Sequence, residues 1–141
     1  MINADNFVSF SIIPEGEEYM LTEPQKKYLI TIYLLGQNGE RVRTTDIADY
    51  LHVAKASAVK MCKKLIEEDL ILKEPYRQIT LTQKGVSEAN GLFTPCIILQ
   101  EHFIKKIGLS HEKAGEVSML IASGVDEDTL ENIVSYALAQ K

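Results

Sequence analysis

The strongest constraint on this 141-residue chain is an unbroken run of local signals between Arg41 and Thr82. Thr44 or Thr45 can cap a short helix over residues 46–51, because a hydroxyl accepts one of the unpaired first-turn N–H groups. A tight turn, His52-Val53-Ala54-Lys55, follows, and then a longer helix over residues 56–68. In that helix Ala58, Cys62 and Leu65 recur at i, i+4 and i+7, which puts them on one face and predicts burial. Lys55, Ser57, Lys60, Lys63 and Lys64 fall on other faces. Residues 70–74 and 78–82 read as two short strands around Pro75-Tyr76-Arg77. Helix, turn, helix and hairpin in this order make a winged helix-turn-helix. An apolar underside and a cationic outer side suit such a helix to duplex DNA.

The candidate DNA contacts follow from this arrangement. Lys55, Ala56, Ser57 and Lys60 lie near the start of the second helix, where a major-groove helix reaches base edges and flanking phosphates. The Ser57 hydroxyl can donate or accept, and the Ala54 and Ala56 methyls permit close approach or thymine-methyl contact. Arg43 and Thr45 at the first helix, Lys63 and Lys64 further along the second, and Lys73 and Arg77 on the wing complete the candidate set.

Charge distribution agrees with this placement. The chain carries a net charge of −5, which alone argues against nucleic acid. Residues 41–84, however, hold nine Lys/Arg against six Asp/Glu, while both flanking segments are acidic. Such a modest local excess predicts a compact footprint on the duplex. No apolar run is long enough to span a bilayer, and the N-terminus lacks a basic region followed by an apolar stretch. A cytoplasmic protein without a membrane partner is therefore expected. Two cysteines, Cys62 and Cys96, fit a reducing compartment and lack metal-finger spacing. There is no Gly-rich phosphate loop, no nucleophile with an evident base and no convergent carboxylate pair, so catalysis is not expected.

Outside this run the chain reads as mainly α. Residues 1–21 resemble an N-terminal arm, with a possible strand over residues 7–13. Thr22 with Gln25 three residues on forms a capping-box pattern opening a helix to Leu35, with Tyr28, Leu29, Ile32, Tyr33 and Leu35 as its core stripe. Thr82 can cap a helix that Thr94-Pro95 is expected to break or sharply kink, since proline disfavours helical geometry in the residue before it. A new segment from Thr94 would then run to about Ile107, with Ile98 or Leu99, Phe103 and Ile107 on one face, until Gly108 stops it. Ser110 and Asp126 open two further helices, the last carrying Leu130, Ile133, Val134, Tyr136 and Leu138. These helices are too apolar for a small monomer's surface. The expected organisation is a winged helix over residues 22–85 and a helical dimerisation region over residues 86–141, giving a homodimer on double-stranded DNA.

Several stretches resemble a known family. Lys27-Tyr28-Leu29-Ile30-Thr31-Ile32-Tyr33, Thr45-Asp46-Ile47-Ala48, Ser57-Ala58-Val59-Lys60-Met61, Leu81-Thr82-Gln83-Lys84-Gly85 and residues 101–109 are similar, in order and nearly gapless, to the metal-dependent iron/manganese repressors. The resemblance covers roughly residues 22–130. It implies a homodimeric transcription factor, most simply a repressor.

At the positions where the resemblance implies metal ligands, this chain departs from the family. Hard divalent ions take carboxylates and imidazoles converging from separate helices. Here those positions fall on Lys27, Ile30, Cys96 or Ile97, Ser118, Ile121 and Ala122, with Glu101 matching an ancillary glutamate. The expectation is no metal, no cofactor, and apolar packing of Ile30, Ile97, Ile121 and Ala122 in place of ligands. His52, His102 and His111 lie on separate elements without ligand spacing. Cys96 reads as a small buried hydrophobe or as a redox sensor. A small-molecule effector or a protein partner stays open as the switch. The rival reading is a winged helix used for protein–protein contact without specific DNA.

Overall fold

The computed structural model describes residues 20–75 and 78–140. The expected strand over residues 7–13, and Tyr76 and Arg77 of the wing, lie outside the described residues. The element order is α1 (Glu23–Leu35), α2 (Thr44–Leu51), α3 (Lys55–Glu67), β1 (Ile71–Lys73), β2 (Ile79–Leu81), α4 (Gln83–His102), a wide π-type turn (Phe103–Ile107), α5 (His111–Gly124) and α6 (Glu127–Ala139). The fold is mainly α with one small antiparallel wing, as expected. The wing pairs Ile71 with Leu81, Leu72 with Thr80 and Lys73 with Ile79.

Most helix starts match the capping residues read from sequence. At α1 the Thr22 hydroxyl accepts from the Gln25 N–H and the Gln25 side chain accepts from the Thr22 N–H. Thr82, Ser110 and Asp126 accept from Gly85, Lys113 and Thr129 at the starts of α4, α5 and α6. The start of α2 differs. Its capping position is Arg43, and Thr44 and Thr45 lie inside the first turn. Asp46 supplies the reciprocal half of the cap, its carboxylate accepting from the Arg43 N–H at 2.9 Å. A carboxylate near a helix N-terminus also meets the positive end of the helix dipole, which a hydroxyl exploits less.

Of the two outcomes expected at Thr94-Pro95, the break does not occur: α4 is continuous from Gln83 to His102 with Pro95 inside it. An interior proline costs about 3 kcal/mol. Leu92, Cys96 and Leu99 straddle it on one buried face. A fully buried leucine contributes roughly 1.5–3 kcal/mol, so this face outweighs the local penalty. The helix instead changes character at the π-type turn, and Gly108, at φ 77°, ends it in the left-handed conformation. Ile107 then lies 61% exposed and does not join Leu99 and Phe103 on the packed face.

Two apolar clusters share α1. Tyr28, Leu29 and Ile32 pack with Val42, Ile47, Ala58, Cys62, Leu65, Leu70, Ile71, Ile79 and Ala89. Ile30 packs with Leu92, Cys96, Leu99, Ala122, Leu130 and Ala137. The Ala58, Cys62 and Leu65 stripe is buried as the heptad-like spacing predicted. Where the hairpin returns to α4 the backbones nearly touch. A Cβ added at Gly85 would lie 2.0 Å from the Leu70 carbonyl oxygen, which accepts the Thr82 N–H at 3.1 Å. Gly85→Ala must therefore push α4 away from the wing. We expect a loss of about 1–3 kcal/mol of stability, read from the urea midpoint. An unchanged midpoint would show the approach to be looser than described.

Candidate nucleic-acid interface

The wing is tied to the segment ahead of α2 by a single backbone contact. The Ile79 N–H donates to the Val42 carbonyl at 2.8 Å, so residues 41–43 lie alongside β2 as an extended stretch. In extended chain alternate side chains point to opposite sides. Val42 enters the core, and Arg41 and Arg43 both face outward. Across the wing, Ile79 pairs with Lys73. The ladder thus carries cations from three separate sequence positions to one side of the domain.

Helix α3, the candidate reading helix, borders the same space. Ala58, Cys62 and Leu65 are buried beneath it, and Lys55, Ala56, Ser57, Val59, Lys60, Lys63 and Lys64 are exposed above. Lys60, Ala56 and Lys63 stand on the side opposite the buried stripe, while Lys55 and Val59 turn toward the wing. Arg41, Arg43, Thr44, Thr45, Lys55, Val59 and Lys73 line one cleft of about 540 Å³. The structure therefore brings Arg43, Thr45, Lys55 and Lys73 together, and sets Ala56, Ser57, Lys60, Lys63 and Lys64 along the neighbouring helix surface. Arg77 is outside the described residues. Sequence reasoning missed Arg41, Thr44 and Val59 as cleft residues. The Arg41-Val42-Arg43 alternation was the available signal for Arg41.

The reading helix is anchored at its far end. Buried Gln25 of α1 donates through its side-chain amide to the Glu68 carboxylate. The Lys84 ammonium donates to the Glu68 carbonyl at 3.1 Å, and Thr82 donates to the Asp69 carbonyl at 2.7 Å. Asp69 sits at φ 60°, a left-handed conformation that aspartate tolerates better than most residues. These contacts fix the end of α3 relative to α1, α4 and the wing.

The positions at which the resemblance implies a metal lie between α1, α4 and α5. Ile30, Cys96, Ser118 and Ala122 are buried there, and Ile121 packs at their edge. Ile97 does not join them. It is 46% exposed, because Cys96 takes the inward position on α4. Lys27 is held by Glu23 at 3.4 Å. The Cys96 thiol donates to the Ser118 carbonyl at 3.8 Å, and the Ser118 hydroxyl is buried without a partner. A thiol and a hydroxyl among aliphatic side chains do not form a donor set for a hard divalent ion. Among the described residues no group of three or more His, Cys, Asp or Glu is arranged to hold one. The histidines stay on separate elements: His52 in the left-handed residue ending α2, His102 edge-on to Phe103, and His111 at the start of α5.

Comparison with known proteins agrees with this architecture. Residues 20–79 match the family described as iron dependent repressor, N-terminal DNA binding domain. The transcriptional regulator MntR of Lysinibacillus sphaericus is 35% identical over 94 residues, 67% of each chain. MntR of Listeria welshimeri is 30% identical over 122 residues, covering 83% of this chain and 84% of that one. The crystal structure of IdeR from T. acidophilum superposes with a TM-score of 0.68 at 22% identity, over 87% of this chain and 57% of its own. This chain thus spans little more than half the length of the IdeR chain. Fold and site define a winged helix-turn-helix protein of the regulator class. The chain belongs to the iron/manganese-dependent repressor family, whose matched members are transcriptional regulators and not enzymes.

Both cysteines are shielded. Burial pushes the Cys96 thiol up to about 11 from an ordinary value near 9. Burial also raises Cys62, opposed by the nearby Lys73 ammonium and by a hydrogen bond with Thr44. A reactive sensor thiol needs exposure and a depressed pKa, and Cys96 has neither. At pH 8 the folded protein should therefore give almost no reaction with a thiol-specific disulfide reagent, and both thiols should titrate once guanidinium is added. Because the folded Cys96 value lies above the unfolded one, its contribution to stability is intact below about pH 9 and is lost as the pH climbs through about 11. Rapid labelling of native protein at pH 8 would contradict this burial.

Proposed function

We propose that this chain is a homodimeric, sequence-specific DNA-binding repressor of the cytoplasm that acts without a divalent metal. The observation that carries the reading is the orientation of α3, with its apolar stripe buried and Ser57, Lys60 and Lys63 presented on the free side. Residues 22–85 act as the reading head, with Lys55, Ala56, Ser57 and Lys60 at the major groove. Arg43, Thr45, Lys63, Lys64, Lys73 and Arg77 hold the backbone. Residues 86–141 pair two copies, and exposed Ile97, Leu120, Tyr136 and Leu138 supply apolar surface for that pairing.

Metal independence is supported by the packing of Ile30, Cys96, Ser118 and Ala122. Small and aliphatic side chains hold one arrangement of α1, α4 and α5 without the cost of burying charge. The protein is then competent by default, with no switch required.

Fluorescence anisotropy with labelled DNA from the protein's own promoter tests the reading. Wild type should bind with strong salt dependence. Lys60→Ala should weaken binding about tenfold and lower the slope of log affinity against log salt by about 0.9. Adding Mn²⁺ or a chelator should leave the curve in place, and calorimetry with Mn²⁺ should give no stoichiometric isotherm. Salt-insensitive or absent DNA binding would instead favour a winged helix that contacts protein. Tight Mn²⁺ binding would remove the metal-independent part alone.

A further inference from the structure

We propose that the cleft between α3 and the wing seats one backbone phosphate of the bound DNA, with Arg41 and Lys73 gripping it from opposite walls. The inference rests on the DNA-binding reading and adds to it a specific seat and a residue, Arg41, that lies outside both the helix and the hairpin. Four cations, Arg41, Arg43, Lys55 and Lys73, line this one concavity with the Thr44 and Thr45 side chains. Among the described residues none of the four makes an ion pair with a carboxylate. The nearest candidate on the same helix end, Asp46, is engaged by the Arg43 backbone N–H.

The grouping is built by the fold. Arg41 and Arg43 are turned out together because Val42 is pinned inward by the Ile79 contact. Lys73 shares a strand face with buried Ile71 two residues earlier, so it leaves the core on the inner side of the wing. Its influence on buried Cys62 agrees with that direction. Like charges lining one cleft repel, and a phosphate entering among them relieves the repulsion and can be met bidentately by a guanidinium. Val59, 41% exposed on the same wall, offers methyl groups to the adjoining sugar. The reading helix alone would let the duplex roll about its axis. A phosphate held between helix and wing fixes that angle.

The test uses the full chain and its promoter DNA. Arg41→Ala should bind five- to tenfold more weakly at moderate salt, with the salt slope reduced by about 0.9. Arg41→Lys should recover part of the affinity, and Lys113→Ala, the same charge loss on α5, should leave the slope alone. Ethylation interference supplies a position-specific readout: one phosphate per half-site should block wild-type binding when ethylated and lose that effect with Arg41→Ala. Thermal melting confirms that each variant is folded. Wild-type affinity, slope and interference pattern in Arg41→Ala, with Lys60→Ala still weakened, would overturn the seat and leave the DNA reading standing. Saturation of the cleft by millimolar inorganic phosphate without competition against DNA would also overturn it, marking a free-anion site. If wild type and every variant fail to bind DNA, the reading beneath the proposal falls as well.

Discussion

The structure depends on a helix buried on nearly every side. In α1 Tyr28, Leu29, Ile30, Thr31 and Ile32 are all at or below 5% exposure, a run that no one-sided amphipathic helix shows. Leu29 and Ile32 belong to the cluster under the reading helix, and Ile30 belongs to the cluster of the long helical region. The helix packs against α2, β2, α4 and α5. The reading head and the helical region therefore share a core.

That shared core explains what the unusual residues between α1, α4 and α5 accomplish. Ile30 and Ala122 fill the space with aliphatic carbon, and Cys96 spends its weak donor on the Ser118 carbonyl. Among the described residues the Ser118 hydroxyl is the buried side-chain polar atom left without a hydrogen-bond partner. Packing of this kind is permanent at physiological pH, because no group in it gains or loses charge there. A wedge that stays uncharged at physiological pH packs against α1, and α1 in turn holds the end of α3 through Gln25 and Glu68.

Much of this was legible in the chain because the deciding forces were local. Thr22 with Gln25, Thr82, Ser110 and Asp126 announce helix starts, since a capping side chain needs only its neighbours three residues on. The Ala58, Cys62 and Leu65 stripe follows from helical period alone. Local rules failed where distant packing opposed them. Pro95 was expected to break or kink α4, yet with Leu92 and Leu99 buried on either side the helix continues through it. Thr44 and Thr45 looked like caps, yet the reciprocal contact of Asp46 with Arg43 moved the boundary. Ile97 and Ile107 looked like core, but only the position of α4 against α1 and α5 decided which residues of that helix face inward.

The order of residues by itself determined the helices, the hairpin, the buried stripe of the reading helix and the position of the basic segment. Each of these follows from periodicity or from contacts a few residues apart. Only the tertiary structure decided which charges meet. Arg41 and Lys73 lie far apart along the chain and come to line one cleft, where an Ile79 amide binds a Val42 carbonyl and ties the wing to the segment ahead of α2. No local pattern encodes a contact made by backbone atoms, which every residue carries alike.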